Sequence, residues 1–550
     1  MIAHPKARFL ALAFVVLGLW LGFPNKLVSL PFLVLFYPLG LALLGKTEPT
    51  PKKAFLAAWL AGSLGHVLAL YWLYVPMTNV GGLPLAAAIP CALLVCVILA
   101  TQAGLFALAS RYFWKEEAPL TSLAMALVWY FLELGYALVA GFPWLPLSGA
   151  LAPLPWSLQI ADTLGATLAG ALWAGCALAI GGAIFAQKWQ GLVAGLLVAA
   201  LLGGYGMYRL PEMDPLVGPE EAAFQLPKPS EDKTVFPVLL VEGNIDQNQK
   251  WVEAFRTSTV KTYVDLSLFA VQKARQRARS DEERLALESY LSRGLILWPE
   301  TAMPFDLARS PHTRSLMAMV IEAKMPLLTG APGQEAGPGR TRQVYNRVWL
   351  LDANGYPAGS YDKEHLVPFG EYVPSFFRWK FLEGLLQEIG AYSEGTRTSP
   401  LRLGSLSLGP LVCYEAVFPW LAQERVAKGA NVLVDVSNDA WFGDTSAPWQ
   451  HLALTGLRAL EQNRYLVRCT NSGISAIFDN RGRLVFQGPQ FQAEALWAEA
   501  ATISENSLFH RYYMYIPAAC GVLLALLLAV FALAGKRTNI PSQRTSSKRT

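Results

Sequence analysis

Leu411-Val412-Cys413-Tyr414-Glu415 closes an apolar run, Gly409 to Val412, on a cysteine and then on polar residues. That pattern reads as a buried strand delivering a thiol to its C-terminal end, where reactive groups on α/β scaffolds sit. Alone the cysteine proves little, because most free cysteines are inert packing. Two earlier stretches add weight. Leu295-Ile296-Leu297-Trp298-Pro299-Glu300 is a second apolar strand, ending in a carboxylate. Val348 to Leu351, a turn at Asn354-Gly355 and then Tyr361-Asp362-Lys363 make a strand-turn-strand unit ending in a lysine. Three strand ends thus offer a base, a cation and a thiol, in the order Glu300, Lys363, Cys413.

Working outward, composition sets the class. Hydrophobic residues are 53% of the 550 and charged residues only 15%, with a mean hydropathy of +0.32. A soluble globular chain is less apolar, so a membrane protein is expected, in place of the roughly three or four soluble domains that length alone would imply. The net charge of +5 is not a nucleic-acid signal, because much of the basic excess lies in short loops and the C-terminal tail. Six cysteines and six histidines are scattered. Their dispersal points to neither a disulfide framework nor a metal centre, and no cofactor is called for.

Apolar spans run about Ala7–Leu21, Leu27–Leu44, Ala54–Val75, Leu83–Ser110, Leu120–Ala140, Ile160–Ala186 and Gly191–Met207, with a last one at Tyr513–Leu533. Lys6 and Arg8, then Lys46, Lys52 and Lys53, then Arg111 and Lys115, then Lys188 fall on one side. The opposite loops, Pro76–Gly82 and Val139–Gln159, have no lysine or arginine, and only Lys26 marks the first. The positive-inside rule therefore makes the N-terminus cytoplasmic and everything between the seventh and eighth spans external. The expected domains are a membrane domain at 1–208, a linker at 209–233, an external domain at 234–507, a closing span at 508–535 and a basic cytoplasmic tail at 536–550. His66 and Glu133 lie inside spans, where an interhelical hydrogen bond is the plainer expectation than a functional role. The uncharged loop Gly141-Phe142-Pro143-Trp144-Leu145-Pro146, with Trp156, fits an interfacial aromatic belt or the mouth of a lipid-facing pocket.

The external domain alternates strands and helices. Strands are expected at Val235–Val241, Leu295–Glu300, Pro326–Thr329 and Asn431–Val436, with hairpins at Tyr345–Lys363 and Tyr465–Phe486. Helices are expected within Val252–Arg293 and at His312–Ala323, Pro419–Lys428 and Gln450–Gln462. Lys273–Arg293 mixes both charge signs and reads as a solvated face. Repeated βα units plus hairpins fit a layered α/β sandwich.

The ordered Glu300, Lys363 and Cys413 resemble the nitrilase, or carbon–nitrogen hydrolase, superfamily. Further motifs narrow the resemblance. Gly243-Asn244-Ile245-Asp246-Gln247 with Lys250-Trp251, Trp298-Pro299-Glu300-Thr301-Ala302 and the run Lys363 to Pro374 are similar to apolipoprotein N-acyltransferases. So are Cys413-Tyr414-Glu415, Ser437-Asn438-Asp439-Ala440-Trp441-Phe442-Gly443, Arg458-Ala459-Leu460-Glu461 and Thr470-Asn471-Ser472-Gly473. That family's layout is seven spans, an external nitrilase-like αββα domain and one closing span. The charged helical stretch between Trp251 and Glu300 is longer than the family's usual spacing.

The resemblance implies acyl transfer. Cys413 would attack an acyl ester of a membrane phospholipid, and the chain would then pass from the thioester to the α-amino group of the diacylglyceryl-cysteine of an apolipoprotein. Glu300 would be the general base and Lys363 the oxyanion partner. Glu371 and Glu415 would be supporting carboxylates, with Trp251, Tyr414 and Trp441 shaping the acyl pocket. The implied setting is the bacterial inner membrane, with a monomer whose catalytic domain faces the periplasm. The Gly- and Pro-dense Gly330–Gly339 is a candidate lid. Cys469 is expected to fill space near the site. A membrane-tethered amidase or nitrilase acting on a small C–N substrate is the alternative; in a transporter or receptor the Glu/Lys/Cys set would be coincidence.

Overall fold

The computed structural model describes residues 5–116, 118–210, 234–337, 341–372 and 392–538. The expected linker, from 211 onward, and the tail beyond 538 lie outside the described residues.

Each of the eight expected spans contains helix, but the second is irregular over Leu27–Leu30 and becomes helical only from Pro31. Among the described residues, five helices qualify by length and apolar composition for crossing a membrane: Leu85–Phe113, Pro119–Ala140, Ala166–Ala186, Trp189–Arg209 and Ile516–Leu533. A sixth qualifies if Pro51–Ala69 and Tyr71–Asn79 count as one span bent by 63°. The break falls at Leu70, whose φ −114° and ψ +24° leave the helical range. Pro5–Gly22 has 18 residues, and Pro31–Thr47 is a shorter apolar helix. The sixth expected span starts later than Ile160. Gly165 breaks it by leaving the helical range at φ +83°, and a Cβ there would meet the Phe509 ring at 2.4 Å.

The two ends of the bundle differ as the loop charges imply. At one end Arg8 pairs with Glu48 at 2.6 Å, and Arg111 donates to the carbonyls of Gly45 and Glu48. At the other end Lys26 pairs with Asp444 and the Tyr414 hydroxyl donates to the Gly141 carbonyl. The loops poor in lysine and arginine are therefore those that meet the catalytic half.

That half contains β1 Val235–Glu242, β2 Leu295–Leu297, β3 Leu327–Ala336, β4 Arg342–Leu351, β5 Pro357–Asp362 and β6 Leu401–Leu403. It continues with β7 Leu406–Val412, β8 Val432–Ser437, β9 Leu466–Thr470, β10 Ala476–Phe478, β11 Leu484–Gln487 and β12 Glu494–Ala501. Two six-stranded sheets result, ordered β12-β1-β2-β3-β4-β5 and β11-β10-β9-β8-β7-β6. Side chains alternate across each strand. Val238 and Leu240 of β1 meet Val434, Val436 and Val467 between the sheets. Leu239 and Val241 point outward to the helices that carry Val271 and Val320. The second sheet's outer face, through Leu411, Leu433 and Phe478, packs on the helices Pro419–Ala427 and Ala447–Gln462. This is the expected αββα sandwich.

One core joins the halves. A single buried cluster runs from Val15, Leu44 and Trp129 to Ala447, Leu454, Leu457 and Leu460 of the helix Ala447–Gln462.

Several details differ from expectation. Gly330 to Ala336 is not a lid: it is regular strand, paired residue for residue with β4 from Val348 to Arg342. Of the same stretch, residues 338 and 339 lie outside the described set. The expected hairpin Tyr465–Phe486 is three strands, because Ser472 to Ser475 interrupt it. The expected long helical region is two helices, Arg256–Arg277 and Asp281–Leu291, the second starting on a Ser280/Glu283 capping box. Arg275 binds Glu288 at 2.6 Å, which joins the two helices.

Candidate active site

Parallel pairing of β7 with β8 and of β1 with β2 brings the ends of strands from both sheets into one place. Glu300 follows β2, Lys363 follows β5 and Cys413 follows β7. Glu300 and Lys363 are buried and Cys413 is partly buried.

Glu300 sits in a tight turn. The next residue, Thr301, has φ +44°, unusual for a β-branched side chain. Gly330 makes room for the turn, since a Cβ there would lie 2.3 Å from the Thr301 nitrogen. Glu300 Oε1 accepts from Asn346 Nδ2 at 2.7 Å and from Lys363 Nζ at 3.4 Å. Its Oε2 is buried without a hydrogen-bond partner among the described residues. An unengaged buried carboxylate oxygen is what a general base needs before substrate arrives.

Lys363 Nζ also binds Glu371, at 3.1 Å to Oε1 and 3.0 Å to Oε2. Burial pulls the ammonium's pKa down, but Glu371 and Glu300 outweigh it and hold the group well above the usual lysine value. Lys363 is thus a fixed cation. Asn346 Nδ2 donates at 2.7 Å to both Glu300 and Glu371, bridging the two carboxylates.

Cys413 adopts φ +54°, a left-handed conformation that costs a non-glycine residue on the order of 1–3 kcal/mol. Burial pushes its thiol well up, and Glu300 adds to the rise while Lys363 opposes it. Burial thus favours the neutral thiol at Cys413, with Glu300 and Lys363 close enough to act on it in opposite directions. Ser437 also opposes the rise.

The remaining expected site residues divide. Glu371 orients the lysine. Glu415 does something else: its two oxygens accept from Tyr361 Oη and from the backbone N–H of Val412, Glu364 and His365. It fastens the Lys363 segment to the Cys413 strand. Tyr414 lies under the membrane loop, stacked near Phe142 and Trp144. Trp441 abuts Gly370, where an added Cβ would be 2.9 Å from the indole. Trp251 is 48% exposed. Burial and Lys363 pull His365 down to about 4, so it stays neutral.

Residues 258–502 match the carbon–nitrogen hydrolase family, and residues 16–179 match the apolipoprotein N-acyltransferase N-terminal domain. An apolipoprotein N-acyltransferase of Geobacter metallireducens is 32% identical over 98% of this chain and 98% of its own length. The chain belongs to the apolipoprotein N-acyltransferase family. The family's enzyme from Allorhizobium ampelinum is 34% identical over 82% of this chain and 80% of its own. That from Vibrio parahaemolyticus is 29% identical over 96% and 97%.

Several residues at this family member's site were not singled out from sequence. Asn346 is a lone amide in a hairpin strand. Lys250 was quoted only as part of a motif; it is buried and donates to Thr301 Oγ1 at 2.8 Å. Burial lowers its pKa to about 8, against the opposing pull of Glu300. His451, Asp439 and Arg468 form a buried cluster behind Cys413; an arginine inside the apolar strand β9 was the available signal. Cys413, Asp439 and His451 have potential metal-ligating atoms within 4.8 Å of one another. The set suits a cation poorly, because the Arg468 guanidinium already lies 2.7 Å from Asp439 and 3.1 Å from His451 Nδ1. The two ionisable residues within spans have structural partners. His66 bonds its own helix at the Gly62 carbonyl, and Glu133 accepts from Trp129 and the Leu147 N–H.

Proposed function

We propose that the enzyme transfers an acyl chain from a membrane phospholipid, by way of a Cys413 thioester, to the N-terminal α-amino group of diacylglyceryl-cysteine on apolipoproteins. The observation that carries this reading is the junction of the Glu300, Lys363 and Cys413 set with the membrane loop, where Tyr414 beside the nucleophile hydrogen-bonds Gly141. Both substrates carry acyl chains that cost about 0.8 kcal/mol per CH₂ to expose to water, so a site at the bilayer surface is economical. The names of the relatives and the matched N-terminal domain favour this over a tethered amidase.

The first half-reaction begins with the Cys413 proton passing to Glu300. The thiolate attacks the ester carbonyl, and Lys363 stabilises the oxyanion, an interaction worth roughly 3–4 kcal/mol for one donor. The C–O bond breaks, Glu300 returns the proton to the departing alkoxide, and a lysophospholipid leaves. In the second half the amine attacks the thioester, Glu300 takes the amine's proton, the C–S bond breaks, and the sulfur regains a proton from Glu300. This is a ping-pong cycle. Trp251, Tyr414 and Trp441 would guide the acyl chain. We place the working monomer in the inner membrane with its catalytic half on the periplasmic side.

The test is mass spectrometry of the purified protein after incubation with phospholipid alone. An acyl mass on the Cys413 peptide is expected, absent in Cys413→Ala and Cys413→Ser. Near wild-type turnover in the serine variant would exclude the thioester.

A further inference from the structure

The helix Ala447–Gln462 carries two consecutive polar side chains that look into different halves of the molecule. Gln450 is fully satisfied by membrane-half groups. Its Oε1 accepts from the indole N–H of Trp72 at 3.1 Å and of Trp144 at 2.9 Å. Its Nε2 donates to the carbonyls of Pro24 at 3.2 Å and Ala69 at 3.0 Å. Three separate membrane loops thus close on one amide.

His451, next along, faces the nucleophile. Its Nε2 lies 3.1 Å from the Cys413 carbonyl oxygen, and its Nδ1 lies 3.0 Å from Asp439 Oδ1 and 3.1 Å from Arg468 Nη2. A carbonyl only accepts, so Nε2 must carry the hydrogen. Behind the ring, Arg468 is held by Asp439 and Asp435, all fully buried, so the imidazole has no freedom to swing. The Trp144 ring packs on the imidazole with centroids 5.5 Å apart. The indole that binds Gln450 therefore also walls His451.

The carbonyl held in this way belongs to a residue in a strained left-handed turn. Pinning it fixes the peptide unit that follows Cys413 and so opposes relaxation of the turn, which would re-aim the thiol. We infer that His451 is a positioning residue for the Cys413 thiol, and that Gln450 ties that position to the docking of the membrane loops. The inference rests on Cys413 being the nucleophile. His451 touches no reacting atom and acts through the Cys413 backbone.

Two shortened side chains separate positioning from mere filling of the buried cluster. In His451→Gln the amide N–H₂ reaches about where Nε2 was and keeps a donor on the Cys413 carbonyl. In His451→Asn the amide ends near the former Nδ1, serving Asp439 and Arg468 but leaving the carbonyl undonated. The measurement, on full-length protein, is the single-turnover rate of acyl-Cys413 formation from phospholipid, with the lipid KM and the melting temperature alongside. His451→Asn should acylate about tenfold to a hundredfold more slowly at unchanged KM, and His451→Gln within about threefold of wild type, since small misplacements of a reacting group carry such penalties. Equal slowing of both, a milder effect in His451→Asn, or no effect in either would overturn the positioning role.

Trp144→Phe guards against a folding failure, for it keeps the ring on His451 and removes only one bond to Gln450. It should slow acylation by about threefold to tenfold. A wild-type rate in Trp144→Phe would cut the link through Gln450. A wild type that never acquires an acyl mass on Cys413 would instead overturn the thioester mechanism itself.

Discussion

Lys363 Nζ lies 3.0 Å from Glu371 Oε2, closer than its 3.4 Å approach to Glu300 Oε1. Glu371 therefore carries most of the burden of keeping the buried ammonium charged. Glu300 keeps its Oε2 without a hydrogen-bond partner among the described residues.

Glu371→Gln should expose this division. The amide can still accept from Asn346, but the charge that holds Lys363 high is gone. The Lys363 pKa should fall, so its positive charge is lost at lower pH and the alkaline limb of the acylation rate moves down in pH. A pH profile against wild type checks this; an unmoved limb would assign the cation's support to Glu300.

Lys363→Met and Glu300→Gln should separate by half-reaction. Without the cation both halves slow, each by about a hundredfold or more, because each passes through an oxyanion. Without the base, acylation by phospholipid stalls first while lipid binding stays intact. Acyl-Cys413 formation and its discharge by a diacylated lipopeptide amine are measured separately. Normal acylation in Lys363→Met would make the lysine structural.

Lys250 gives a stability prediction. Its pKa is lowered to about 8 in the folded protein, so the unfolded chain binds the extra proton between about pH 8 and the ordinary lysine range. By linkage, stability rises with pH across that window, and the cost of the buried charge is full below it. Lys250→Met removes this dependence. The melting temperature of wild type minus that of Lys250→Met should grow more positive from pH 7 to pH 9.5.

Cys469 should be silent. It is fully buried in β9, its sulfur 3.2 Å from the Leu297 carbonyl, and burial raises its thiol well above the usual range. Cys469→Ser should leave turnover unchanged, and a reductant should affect neither protein. Activation of wild type alone by reductant would reveal a brake on Cys413.

The bundle's orientation is testable with tags. One after Thr550 should be cytoplasmic and one near Glu231 external. Both on one side would break the eight-span arrangement.

How much of this was legible depended on range. Glu300, Lys363 and Cys413 stood out because each is a titratable residue at the end of an expected strand, and strand ends of an α/β sandwich converge. Asn346 gave no such sign; its value lies in bridging Glu300 and Glu371, which only pairing across β4 and β5 creates. His451 and Asp439 meet behind Cys413 through contacts that span a helix and two strands, and no local pattern records that. Hydropathy marked the third span's length but not its 63° bend at Leu70, a residue as apolar as its neighbours. Strand β12 escaped notice because its alternation, Glu494 to Ala501, mixes charged and small residues, and its place is set by pairing with β1.

The core shared by the two halves constrains how such a catalyst can be re-engineered. Leu454, Leu457 and Leu460 on the helix Ala447–Gln462 belong to the same buried cluster as Trp129 and Leu147 of the bundle. Cut free at residue 234, the sandwich would present that helix face bare to water and would clump. A water-soluble version must first have that one face rewritten in charged residues. The neighbouring face, which carries His451, would have to be left alone, so the two sides of a single helix set the boundary between what a designer is free to change and what must stay.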